Sequence, residues 1–138
     1  MSQRSEQEAW AKAVALELPT ICDDPNDLLW FPRGWRDIVY VALIKIEAIV
    51  AREGLSIKIA QIKEKYGGLC MYFHGAFEHQ EIQDIIDKAT TSCYHTCEKC
   101  GLSGMIRSDL SWHQTLCDSH YLDQKKTIPF GGLNKSGS

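Results

Sequence analysis

Two short motifs restrict the fold of this chain more than any other feature: Cys97-x2-Cys100-Gly101 and, after sixteen intervening residues, Cys117-x2-His120. A two-residue spacer lets both side chains reach one ion from a tight turn whose backbone N–H groups point at the thiolates, and Gly101 permits the unusual backbone angle of that turn. Two half-sites with this spacing, separated by the length of a short hairpin, match the ligand pattern of tetrahedral zinc. Two unrelated pairs of buried or surface residues would leave the repeated spacing unexplained. Cys97, Cys100, Cys117 and His120 are therefore the expected ligands of one Zn2+ ion. All four being protein side chains, no position stays open for water, so the ion is expected to be structural and its binding to fold a segment too short for a core of its own.

The remaining cysteines, Cys22, Cys70 and Cys93, have no companion at ligand spacing. Cys22 and Cys70 read as small buried hydrophobes. Cys93 has two readings, a spare ligand four residues before Cys97 or a member of a helical apolar stripe. Residues 1–11 are polar, without the basic start and apolar run of a secretory signal, and no uncharged apolar stretch is long enough to span a membrane. A cytoplasmic protein with reduced thiols is expected. Residues 1–87 hold 9 Lys or Arg against 14 Asp or Glu, and residues 88–138 hold 6 against 4. That small C-terminal excess is not the concentrated basic face of a nucleic-acid binder, so a protein partner is favoured over nucleic acid, with no membrane partner.

At 138 residues, 44% of them hydrophobic, the chain has the material for one core with a small metal-stapled appendage. Residues 5–18 read as a helix, with Ser5 and Glu8 spaced as a capping box and Trp10, Val14 and Leu18 on one face before Pro19. The turn formers between Asp23 and Asp27 indicate a loop over residues 20–33. Residues 35–53 carry the strongest helical period, from Trp35, Ile38 and Val39 to Ile49 and Val50, stopped by Gly54. Tyr40, Val41 and Ile44 widen its apolar face, as a helix packed on both a sheet and another helix would require. Leu55, Ile57 and Ile59 open a strand, residues 69–73 form a second, and Gly67-Gly68 supplies the tight turn of a hairpin; a change of alternation at Ile62 calls for a bulge or short helical turn. Residues 78–93 form the last core helix, with Ile82, Ile85, Ile86, Ala89 and Cys93 on one stripe. The expectation is an α+β fold: a core of helices on a small antiparallel sheet over residues 1–93, a zinc-binding module over 94–126 docked by the last helix, and a flexible tail over 127–138.

In the module, a knuckle, a hairpin and then a helix carrying the second ligand pair resemble a treble-clef zinc finger over about residues 96–126. Such modules serve in binding proteins, ribosomal proteins and some nucleases, so the resemblance does not select a function. The stretch from Gln114 to His120 followed by Lys125 and Lys126 also resembles the zinc half of HNH nucleases. His113 lacks the preceding Asp-His pair that those enzymes carry. Ile62-Lys63-Glu64-Lys65-Tyr66-Gly67-Gly68-Leu69, taken with Gly34-Trp35 and the two ligand pairs, resembles a family of small bacterial and bacteriophage proteins of uncharacterised function over residues 32–121. The chain departs from that pattern at Cys70, where a basic residue is expected. The resemblance implies a phage-related protein but supplies no function; a role directed at a host or regulatory protein is an expectation set beside it. The residues themselves suggest a non-enzymatic interaction module, with Lys63, Lys65 and Tyr66 at the hairpin tip and Trp30 and Phe31 in the loop as candidate partner contacts. Trp10, Trp30, Trp35 and Trp112 read as core anchors. Nucleic-acid binding through Lys99, Arg107, Lys125 and Lys126 is the alternative, and a metal-dependent nuclease the third reading.

Overall fold

The computed structural model describes residues 2–75 and 78–127. Its centre is helix α2, Arg36–Glu53, whose residues Val39, Ala42, Leu43, Ile46, Ile49 and Val50 are buried at helical spacing. Gly54 ends it in the left-handed conformation (φ 64°), its N–H bonded to the Val50 carbonyl. Tyr40 and Ile44 pack against the core, whereas Val41 is 50% exposed, so the apolar face is wider than its partners cover.

Helix α1, Gln3–Ala15, starts and stops earlier than the sequence suggests. Its cap is Ser2, whose hydroxyl accepts from the Ser5 N–H at 3.1 Å, in place of a Ser5–Glu8 box. The last turn tightens through Glu17 N–H to Val14 O and Leu18 N–H to Ala15 O, and this carries Leu18 into the core beyond the helix end. Pro19 disfavours helical backbone at Leu18, which fixes the exit. The loop that follows contains two 3-10 turns, Pro25–Leu28 and Arg33–Trp35. Glu47, on the buried face of α2, accepts from the backbone N–H of both Thr20 (3.1 and 3.2 Å) and Ile21 (3.0 Å). A charged side chain on the inner face of a core helix is thus satisfied by loop amides that otherwise have no acceptor.

Strands β1, Lys58–Lys65, and β2, Gly68–His74, form an antiparallel hairpin. Leu55 and Ile57 precede the ladder, because β2 ends opposite Lys58. The register shifts between Ile59 and Gln61, making Ala60 the extra residue of a bulge. Ile59 and Ile62 are three apart, and in an unbroken strand they would face opposite sides; the bulge brings both into the core. The turn is Tyr66-Gly67, one residue earlier than expected, with φ 54° and 83°. Two positive φ values give the type I′ geometry that suits the strand twist, and the Gly67 N–H is held by the Glu64 carboxylate at 2.8 Å. Gly68 belongs to β2, paired with Lys65, and a Cβ there would lie 2.6 Å from the Tyr94 ring.

Helix α3, Gln80–Cys93, packs on α2 and on β2 with Ile82, Ile86, Ala89 and Cys93 inward. His79 caps it: Nδ1 accepts from the Ile82 N–H (3.3 Å), so Nε2 carries the proton toward the Glu53 carboxylate at 2.9 Å. A second antiparallel pair, β3 Met105–Arg107 with β4 Gln114–Leu116, and helix α4, Asp118–Thr127, complete an α+β fold. The expected tail over 127–138 lies outside the described residues from 128 onward.

Removing the Glu47 carboxylate is expected to destabilise the protein by about 3 kcal/mol, since hydrogen bonds to a charged group are involved and two amides lose their acceptor. Glu47→Ala should therefore show a clear fall in Tm and in urea midpoint, and Glu47→Gln, which keeps one acceptor oxygen, a smaller one.

Candidate metal centre

Cys97 and Cys100 stand on a turn that folds back on itself: the Cys97 N–H bonds to Leu102 O (2.7 Å) and the Gly101 N–H to Cys97 O (2.9 Å), with Gly101 at φ 81°. Cys117 follows β4, and His120 lies in the first turn of α4, its N–H directed at Cys117 Sγ (3.4 Å). The four candidate ligand atoms all lie within 4.8 Å of one another. Cys100 Sγ is 3.8 Å from Cys117 Sγ, and His120 Nδ1 is 3.6 Å from Cys97 Sγ and 3.3 Å from Cys117 Sγ. With bonds of about 2.3 Å to sulfur and about 2.0 Å to nitrogen, a tetrahedral ion separates its ligand atoms by about 3.4 to 3.8 Å, so the set can hold a metal ion and is compatible with zinc. Burial raises the Cys97 thiol pKa, but the N–H groups of Cys117, Lys99 and Cys100 outweigh it and hold the group below its ordinary value. These amides favour thiolate, the ligand form. Cys93 is no fifth ligand: it is fully buried on the core face of α3, and desolvation pushes its pKa up to about 12.

The turn bearing Cys97 and Cys100 is seated on the start of α2. Gly34 N–H donates to Glu98 O, Trp35 Nε1–H to Thr96 O and Arg33 Nε–H to Lys99 O, each at 2.9 Å. The seat is a backbone-to-backbone contact, because a Cβ on Gly34 would lie 2.2 Å from Cys97 O and one on Gly101 would lie 3.1 Å from Gly34 O. On its other side the site is joined to the first hairpin, where the Thr115 hydroxyl donates to Gly67 O at 2.7 Å. Glu98 closes this corner, with Thr115 N–H donating to its carboxylate (3.2 Å) and its own N–H donating to Thr115 O (2.9 Å). Burial raises the Glu98 carboxyl pKa, opposed by the Thr115 N–H and reinforced by Glu64. The site is joined to the core at two places, Gly34-Trp35 and Gly67, which the sequence marks only by the glycines and Trp35.

The candidate partner residues are not brought to one place. Phe31 is 6% exposed and packs edge-on to Trp10, with ring centroids 5.5 Å apart, so it belongs to the core and offers no surface. Trp30 is 55% exposed, with the Arg4 guanidinium 4.8 Å above its ring. Trp112 is also 55% exposed; only Trp35 is fully buried, and Trp10 is half-buried. Lys63 and Lys65 lie 6.0 and 5.6 Å from the rings of Tyr72 and Tyr66. Tyr66 is 72% exposed, a bulky residue held in left-handed backbone. His113 is exposed on the β3–β4 connection.

Because the seat leaves no room for a side chain, Gly34→Ala is expected to lower the Tm by more than a cavity-free helix substitution would and to cost at least about 2 kcal/mol, the scale of overpacking. Chelator competition should strip metal from this variant faster than from the wild-type protein, since the turn bearing Cys97 must move.

No protein-family model, no curated protein and no solved structure matches the chain.

Proposed function

We propose that the protein is a zinc-stapled, non-catalytic interaction module directed at a host or regulatory protein, its phage-related character resting on the resemblance alone. The observation that carries this reading is the convergence of Cys97, Cys100, Cys117 and His120 on one point, with the metal hairpin fastened to an exposed aromatic turn. Three thiolates and an imidazole suit zinc, and four protein ligands fill a tetrahedral sphere, so the ion serves folding rather than water activation. The order of knuckle, hairpin and helix supports a treble-clef-like module. What the ion holds in place is a surface. A Cβ at Gly67 would lie 3.3 Å from Ile106 Cδ1, which sets Ile106 against the turn that displays Tyr66, while Met105 and Trp112 are exposed on the same β3–β4 unit. Exposed apolar and aromatic side chains on a rigid support are the usual anchors of a protein interface.

The nucleic-acid alternative is disfavoured by how two of its four residues, Arg107 and Lys125, are engaged. Arg107 donates to Leu116 O (3.0 and 3.2 Å) and to the Asp118 carboxylate (2.8 Å) and lies 4.2 Å from the Tyr121 ring, which leaves little of it for phosphate. Lys125 faces Asp109 at 3.8 Å, and Asp109 also accepts from the Tyr121 hydroxyl.

Purified protein is expected to carry one zinc per chain by elemental analysis. Cys97→Ser and Cys117→Ser should lose it together with the C-terminal fold, whereas Cys93→Ser should retain it. With metal content and Tm unchanged, Tyr66→Ala and Trp112→Ala should each weaken capture of the partner by about 2 kcal/mol, roughly thirtyfold, as interface anchors do. A folded protein without zinc, full-strength capture by both variants, or DNA cleavage by the purified protein with added divalent metal would each refute the reading.

A further inference from the structure

The exposed half of Val41 lies in a groove that the fold leaves uncovered between α2 and α3. The groove has a volume of about 330 Å³, and its floor is formed by Ile38, Val41 and Ala42 of α2 with Ile85 and Ala89 of α3. Three charged side chains rim it: Lys45 at the middle of α2, Lys88 on α3, and Asp37 at the start of α2. None of the three forms an ion pair among the described residues. The acidic residues of α3 closest in sequence to Lys88 are engaged along their own helix, Asp84 with Gln80 (2.7 Å) and Asp87 with Gln83 (2.9 Å). An apolar floor with unpaired cations on its rim complements a ligand that is apolar on one side and acidic beside it.

We propose that this groove receives an amphipathic helix of the partner protein, with acidic residues flanking its apolar stripe. The inference rests on the interaction reading above and adds the chemistry of the partner. Length supports a helix: from Asp37 to Lys45 the rim spans eight helical steps, about 12 Å at 1.5 Å per residue, which accommodates two turns bearing anchors at i, i+3, i+4 and i+7. Charge sets its direction. Acidic side chains meet Lys45 and Lys88, and a basic one meets Asp37. A helix favours acids near its N-terminus and bases near its C-terminus, so the bound helix runs antiparallel to α2. The chain's own residues 128–138 contain no Asp or Glu and one Lys, so they do not supply that pattern.

The test uses the zinc-loaded full chain and a synthetic 16-residue helical peptide. The peptide has Leu at the four anchor positions, Glu beside them in the N-terminal half and Lys at the C-terminal end; a second peptide exchanges every Glu and Lys. Fluorescence anisotropy is expected to show binding of the first peptide that weakens at least about tenfold on Val41→Asp or on Lys88→Glu and that falls as salt rises. The exchanged peptide should bind the wild-type protein poorly and recover on the Lys45→Glu, Lys88→Glu double variant. All variants should keep their zinc and Tm, since these side chains lie on the surface. Equal binding of both peptides, no loss on Val41→Asp, or no rescue by charge reversal overturns the proposal. A wild-type dimer that Val41→Asp dissolves overturns it in favour of a second copy. Peptide affinity that rises several-fold in full-length Phe130→Asp overturns it in favour of the chain's own tail. Because Tyr66 and Trp112 play no part in this assay, its failure alongside intact, hairpin-dependent capture refutes the groove alone.

Discussion

The meeting of Gly34 with Gly101 and the Cys97 carbonyl is the contact on which the rest of the arrangement depends. Any side chain on Gly34 would overlap backbone that cannot swing aside. Close approach lets Gly34 and Trp35 donate to Glu98 and Thr96, the carbonyls that bracket Cys97. The first metal ligands are thereby fixed to the beginning of the longest core helix. Trp35 performs two tasks there, filling the core with its ring and satisfying a metal-turn carbonyl with its indole N–H.

From that seat the structure passes rigidity outward. The Cys/His cluster brings the first turn of α4 to the turn bearing Cys97 and Cys100, the ladder of β3 and β4 connects the half-sites, and the Thr115 hydroxyl fastens the assembly to Gly67. The turn of the first hairpin is then braced from two directions, by Glu64 beneath and by the metal hairpin alongside. This accounts for how Tyr66 is kept in left-handed backbone, a conformation that a bulky residue leaves unless its surroundings oppose the change. The Cys/His cluster, the strained turn and the exposed ring form one mechanical unit, although Tyr66 and His120 lie 54 positions apart in the sequence.

Helix α2 divides the remaining work by face. One side supplies the apolar core, and Glu47 on the same buried side organises the loop after α1 through two amides. The side carrying Val41 meets α3 only partly and leaves the lysine-rimmed groove. A helix apolar over more of its circumference than its neighbours cover either loses stability to exposed surface or uses that surface, and the unpaired charges along the rim favour the second outcome.

What the sequence determined alone follows from short-range constraints. The ligand spacing named all four members of the Cys/His set, the period from Trp35 to Val50 located α2, and the change of alternation at Ile62 called for a bulge or a short helical turn, of which the structure has the bulge, at Ala60. Each is a property of neighbouring residues and the 3.6- or 2-residue repeat they obey. Tertiary structure decided the rest. Phe31 and Trp30 are adjacent aromatic residues with equal claims to the surface, and only packing against Trp10 assigns one to the core. Nothing near Glu47 in the sequence marks the loop amides of Thr20 and Ile21 as its partners, and nothing near Gly34 marks the Cys97 carbonyl that lies against it. Gly68 reads as a turn residue until the ladder pairs it with Lys65 and the Tyr94 ring fills the space a Cβ would need. In every such case the deciding atom belongs to a residue distant in sequence, and no local propensity carries its position.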